Sequence, residues 1–219
     1  IYAQLHKTKV RQLFGGLLGP PPTALVEAYT DQPSRTTFDH SIFNQLLTQY
    51  VDADGWVDYA TLSGDTTSLD TYIAAIEKAP LEQVNRNQKL AFLINAYNAF
   101  TLRLILDYWE NGKLQSIKDI PGHKRWDDKR WKLMGQTLSL NQLEHEQIRP
   151  KFIEPRIHFA LVCAAVGCPK LRNEVYQADR LESQLDDQMQ YCHRHDRWFV
   201  YDSPGNTLHL TKLYNWYGG

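Results

Sequence analysis

Four places along the chain hold residue types that could do chemistry. Asn95 and Asn98 lie three apart in Leu93-Ile94-Asn95-Ala96-Tyr97-Asn98-Ala99, so on a helix they share one face. Buried and unpaired, each carboxamide would cost about 1–3 kcal/mol. They therefore tie down a neighbouring loop, orient a catalytic histidine or line an anion or amide pocket. Glu144 and His145 are neighbours on a second expected helix. Adjacent helical side chains point roughly 100° apart, so only one of the pair should face a given pocket. His145 and Arg149, four apart, share a face, and an exposed surface pair is their plain reading.

The third place is His158-Phe159-Ala160-Leu161-Val162-Cys163, followed by small residues up to Cys168-Pro169. A cysteine at a strand end, with small neighbours, leaves room for a substrate backbone. Its thiolate could attack if a histidine and the free amides of the following turn supported it. On a regular strand His158 and Cys163 face opposite ways, so the base is either His158 across a bulge or His145 from another element. A buried inert cysteine and a Cys163–Cys168 disulfide are the other readings. The fourth place is Cys192-His193-Arg194-His195-Asp196. Its types suit a transition metal, but at helical spacing they radiate apart, and a solvated helix end is expected instead. No metal or cofactor is expected. The chain lacks Gly-x-Gly-x-x-Gly, a Walker loop, Gly-x-Ser-x-Gly and His-Glu-x-x-His.

These residues must be carried by definable elements. Phe38, Ile42, Phe43, Leu46, Leu47 and Tyr50 recur at helical spacing, and Asp54-Gly55 marks a turn. Leu69, Tyr72, Ile73 and Ile76 form a second amphipathic helix closed by Pro80. Apolar residues cover most of the circumference over 87–109, which predicts a central buried helix holding Asn95 and Asn98. Residues 110–138 look irregular, with short strands around 131–133. Ser139 and Gln142 predict a capping box opening a helix over 140–149, before Pro150. Residues 157–163 are the best strand candidate, and a helix follows from 179. Ser203-Pro204-Gly205-Asn206 turns a hairpin between 198–201 and 208–210. The expected fold is α+β, helix-rich, with a small antiparallel sheet and a C-terminal β-hairpin, in one domain over 38–219. Residues 1–37 carry a basic stretch and Pro20-Pro21-Pro22, and read as an arm, a linker or a membrane-proximal stem.

The chain of 219 residues has a formal charge of −1, 42% apolar and 22% charged residues, and three cysteines. That composition supports a sizeable core and argues against disorder, a disulfide-stapled mini-fold and an overall field for nucleic acid. No run of about 18 apolar residues offers a membrane span. The loop Lys124-Arg125-Trp126-Asp127-Asp128-Lys129-Arg130-Trp131-Lys132 mixes base and aromatic but nets only +3. Six Trp and twelve Tyr suit aromatic packing or a groove for an organic ligand. Opening at Ile1 rather than Met, the chain is expected to have lost residues upstream.

The ordered set of Leu93 to Ala99, Ser139-Leu140 with Leu143-Glu144-His145 and Ile148-Arg149, and His158 to Leu161 with Cys163 and Cys168-Pro169 resembles the domain-of-unknown-function family 547. Val57-Asp58-Tyr59 and Leu213-Tyr214-Asn215-Trp216-Tyr217 extend the likeness. The resemblance implies a domain found in bacteria, often with export signals, and in eukaryotes beside glutaredoxin or coiled-coil modules. It places the family's characteristic polar residues on Asn95, Asn98, Glu144, His145, His158 and Cys163. It also makes an obligatory Cys163–Cys168 disulfide less expected. By analogy with papain-like or transglutaminase-like enzymes, one reading is a cysteine-dependent hydrolase or acyl transferase acting on the amide or thioester of a small-molecule or peptide substrate. Cys163 would attack, His158 or His145 would serve as base, and Asn95 or Asn98 would orient it. The alternatives are a non-catalytic module binding a peptide, glycan or protein, and a thiol–disulfide role. The location expected is periplasmic or secreted, with the cytoplasm as alternative.

Overall fold

The computed structural model describes residues 24–29, 37–81 and 84–217. The expected arm over 1–37 lies outside the described residues except for 24–29 and 37. Residues 24–29 run along the domain, where Val26 and Ala28 donate backbone hydrogen bonds to the carbonyls of Pro150 and Lys151.

Helix α1 (Ser41–Tyr50) buries Phe43, Leu46 and Leu47. A turn through Asp54 and Gly55 leads to α2 (Tyr59–Leu62), capped by Asp58, and α3 (Thr67–Glu77) buries Leu69, Tyr72 and Ile76. Gly55 is required in that turn: its φ is +82°, and a Cβ there would come within 2.5 Å of the Lys170 Cβ. Helix α4 (Arg86–Asp107) opens on an Asn85–Gln88 capping box and is buried on almost every side. It forms the axis of a core running from Phe43 to Leu185. Among the described residues α4 alone is long and apolar enough to cross a membrane, and 89% of that window is buried inside the fold, as in a core helix.

Two 3₁₀ turns (Glu110–Gly112, Ile117–Asp119) and α5 (Gly122–Arg125) precede a tight hairpin of β1 (Trp131–Leu133) and β2 (Gln136–Leu138). Trp131 stacks on Phe100 of α4 at 4.7 Å. The basic loop is internally engaged: Lys124 pairs with Asp128, Arg130 with Asp107 and Lys132 with Glu77.

The expected Ser139–Gln142 capping box opens α6 (Leu140–Gln142). The chain then widens into a π-helical turn (Leu143–Ile148), in which the Arg149 N–H donates to the Glu144 carbonyl at 2.8 Å, five residues back.

Residues 157–163 do not form the expected strand. They make α7 (Ile157–Ala160), then an extended stretch that pairs with no strand among the described residues. Instead the Asn98 side chain donates to the Ala160 carbonyl at 3.0 Å and accepts from the Val162 N–H at 3.1 Å. One carboxamide supplies the donor and acceptor that a neighbouring strand would have offered.

Helix α8 (Leu181–His193) packs against α7. The antiparallel pair β3 (Phe199–Asp202) and β4 (Thr207–Leu210) forms the expected hairpin, and α9 (Lys212–Tyr217) returns to the domain. The fold is α+β and helix-rich, with two small antiparallel sheets among the described residues.

Candidate functional site

The six residues singled out in the sequence separate into three groups. Asn95 and Asn98 share one face of α4, and both are spent on loop backbones. Asn95 donates to the Tyr176 carbonyl at 2.8 Å and accepts from the Tyr176 N–H at 2.9 Å. It also lies 3.4 Å from His40 Nδ1, whose nearer partner is the Tyr72 hydroxyl at 2.6 Å. Of the readings open for the pair, the loop ties are the ones formed, and neither asparagine is hydrogen-bonded to His145 or His158. Gln184 and Gln188 of α8, not singled out from the sequence, do similar work. They donate to the carbonyls of Val175 and of Phe159 and Lys170. Their spacing of four with Leu181 and Leu185 on the buried face was the available signal.

Glu144, His145 and His158 are brought together. The Glu144 carboxylate accepts from the Tyr97 hydroxyl at 3.3 Å and the Tyr217 hydroxyl at 2.9 Å. Arg149 donates to His145 Nδ1 at 2.8 Å, and His145 Nδ1 lies 3.9 Å from Glu144. The His158 ring stacks on Tyr217 with centroids 3.6 Å apart, and the Arg149 guanidinium lies 4.7 Å from the same Tyr217 centroid. Side chains of Glu144 and His145 were expected to diverge. The π turn spreads the helical bonding over five residues, and both reach one cluster. The plain reading of His145 and Arg149 as an exposed pair is corrected too, since Arg149 is only 7% exposed.

Burial sets the protonation here. It pushes the His158 imidazole down to about 3, helped by the Arg149 charge and His145. His145 is also lowered by burial, with Glu144 opposing and Arg149 reinforcing. Burial and the neighbouring Glu144 raise both Tyr97 and Tyr217. Burial thus favours the neutral forms of the two imidazoles and the two phenols that gather around the Glu144 and Arg149 side chains. Such a set can accept and donate hydrogen bonds to a polar ligand. Among the described residues no group of three or more His, Cys, Asp or Glu is placed to hold a metal ion. Tyr97 and Tyr217 were not singled out as site residues, and the motif containing Tyr217 was the available signal.

Cys163 belongs to neither group. It is bonded to Cys168, with Cα atoms 6.1 Å apart, within the usual range for a disulfide. While that bond stands, Cys163 has no thiolate to attack with or for His158 or His145 to deprotonate, so the nucleophile reading requires the bond to be opened first. The disulfide closes residues 164–167 into a loop that is exposed, Val166 at 65%. Ala164 turns through a left-handed φ of 52°.

That loop forms one wall of a pocket of about 280 Å³. Trp56, Tyr59 and Trp109 supply its aromatic lining, Val162 and Ile105 part of its apolar lining, and Lys170 and Arg197 two positive charges against the one carboxylate of Asp54. Tyr59 packs on Trp109 at 5.5 Å, and the Arg197 guanidinium lies 4.8 Å from the Trp56 ring centroid. None of Asn95, Asn98, Glu144, His145 or His158 lines it.

A family model described as "Protein of unknown function, DUF547" matches residues 81–191, half of the chain. That stretch holds both asparagines, the π turn, α7 and the disulfide loop. No curated protein and no solved structure matches the chain.

Proposed function

Because the chain belongs to the DUF547 family, whose description names no reaction, we propose its function from the geometry of this molecule: a binding module that takes an apolar or aromatic group of a small molecule or peptide. The observation that carries this reading is the aromatic pocket beside the disulfide loop, open to solvent and lined by Trp56, Tyr59 and Trp109. An aromatic-walled cleft with a few charged groups at its edge is the common form of an organic-ligand site. Lys170 and Arg197 outnumber the single carboxylate of Asp54 in the lining, a balance that favours a ligand also carrying negative charge.

The cysteine-dependent hydrolase or acyl transferase stands behind this reading. It needs the Cys163–Cys168 bond opened and a base delivered to Sγ, and no hydrogen bond among the described residues links a histidine to Cys163. A thiol–disulfide role keeps one observation in its favour, the bond itself. Equilibration in glutathione buffers followed by thiol alkylation would place its potential. The same bond supports a periplasmic or secreted location over the cytoplasm, where such bonds are rare.

The test uses 8-anilinonaphthalene-1-sulfonate, a fluorescent aromatic anion, displaced by a panel of acetylated tripeptides. The expected result is one saturable site, weakened about five- to thirtyfold by Trp109→Ala, since one aromatic contact surface is worth roughly 1–2 kcal/mol. Dye binding unchanged in folded Trp109→Ala and Arg197→Ala variants overturns the proposal.

A further inference from the structure

The Tyr217 side chain occupies a slot whose other walls come from elsewhere in the chain. Glu144 and Arg149 come from the π turn and its end, His158 from α7 and Tyr97 from α4. Glu144 and Arg149 are 9% and 7% exposed, so the slot is built into the domain. The segment that fills it is differently held. Lys212, Tyr214 and Asn215 of α9 are exposed. Leu213 is partly buried against the small cluster of Phe159, Cys192 and Trp198, and Tyr214 hydrogen-bonds His193.

We propose that this slot is a binding site for a hydroxyaryl group, a phenol ring with its hydroxyl, and that Tyr217 is its resident occupant. The chain itself displays the recognition chemistry. The ring is stacked at 3.6 Å and 10° on His158, and its hydroxyl donates to Glu144 at 2.9 Å. The guanidinium of Arg149 lies beside the same ring, and among the described residues its one hydrogen bond goes to His145 Nδ1. Withdrawal of Tyr217 leaves the buried Glu144 carboxylate with the longer Tyr97 bond, so an incoming phenol restores a charge-assisted hydrogen bond as well as a stacked face. Carboxylate recognition makes the hydroxyl decisive: an aryl ether of the same shape cannot donate. An intramolecular occupant also lowers the apparent affinity for any outside ligand by the fraction of time the slot stands open. Release of α9 is therefore the step that makes the site available.

Calorimetric titration of the whole chain tests this with p-cresol, 4-methylanisole and acetyl-Gly-Tyr-Gly-amide. Tyr217→Ala is expected to bind p-cresol at least about tenfold tighter than the wild type, and at least about tenfold tighter than 4-methylanisole, the discrimination of one charge-assisted hydrogen bond. Leu213→Ala leaves the slot intact and loosens α9, so it should bind p-cresol with an intermediate gain. It serves where Tyr217→Ala fails to fold. Binding of the peptide assigns the site to a tyrosyl segment, and binding of p-cresol alone assigns it to a free phenol. Either supports the proposal. No saturable p-cresol binding to folded variants, or equal binding of cresol and anisole, overturns it. Dye binding at the aromatic pocket should survive Tyr217→Ala, so the two proposals fail separately.

Discussion

Residues 157–168 serve two neighbourhoods with opposite character. At the first end, His158 enters a closed polar cluster where charges and hydroxyls are already satisfied by one another. At the far end, Ala164, Val166 and Cys168 form the wall of an open, aromatic pocket. Between them the Asn98 carboxamide pins the backbone at Ala160 and Val162. The polar end is held by burial and hydrogen bonds, the apolar end by a covalent bond and by the close approach of Gly55 to Lys170 and Leu171. The contrast separates two ways of preparing a binding surface. An open apolar pocket needs only a rigid wall. A buried polar slot needs an occupant, because empty it would leave charged groups short of partners.

Acid should strike the polar end hardest. His158 is held down to about 3 in the fold, whereas the unfolded chain takes up its proton near the ordinary imidazole value of 6.5. The unfolded state therefore binds more protons below about pH 6.5, and stability, full above that, declines as pH falls toward 3. Lowering the pH from 7 to 4 should cost on the order of 3 kcal/mol through His158 alone. His40, held at about 4 by burial, adds in the same direction. Urea unfolding at several pH values gives the slope, and the histidine Cε1 proton shifts identify the groups. A folded-state His158 that titrates near 6.5 would mean that the polar end is open, and the contrast would collapse.

Asn98→Ala should loosen both ends at once. It leaves the Ala160 carbonyl and the Val162 N–H buried without their partner, at a cost of about 2–3 kcal/mol. Hydrogen exchange should show lost protection at Val162, spreading toward His158 and toward Cys168. Asn98→Asp keeps the acceptor and loses the donor, so protection at Val162 should survive better than in Asn98→Ala. Loss at only one end would show that the pin serves one neighbourhood alone.

Much of this architecture was legible from local signals. The burial of α4, the Ser139–Gln142 capping box and the hairpin turned by Pro204-Gly205-Asn206 each depend on residues close in sequence. The strand expected over 157–163 failed because the run is short and apolar, a pattern that buried helix and buried strand share. What decided it was a side chain 64 positions from Val162, standing in for a sheet neighbour. The polar cluster was half legible. Glu144, His145 and His158 are carried by recognisable segments, but the π turn that makes adjacent residues converge has no period in the sequence. The Tyr217–Glu144 bond spans 73 positions and leaves no local trace. The disulfide was one of three readings for the same cysteines, and spacing could not choose among them.

Removal of that disulfide is the smallest of these perturbations and the sharpest test of separateness. The bond closes a loop of sequence separation five. In the chain-entropy view so short a loop gives about 2 kcal/mol at most, less if the wall retains its shape through Pro169 and the Trp198 indole bond to the Cys168 carbonyl. The double substitution Cys163→Ser, Cys168→Ser should therefore lower the unfolding midpoint modestly. Its main effect should fall on the aromatic pocket, where residues 164–167 would sample more conformations and weaken dye binding. The His158 and Tyr217 resonances should stay in place, because Asn98 still fixes Ala160 and Val162 between them and the loop. If those resonances shift with the dye affinity, the carboxamide transmits motion instead of blocking it, and the two neighbourhoods are one coupled site.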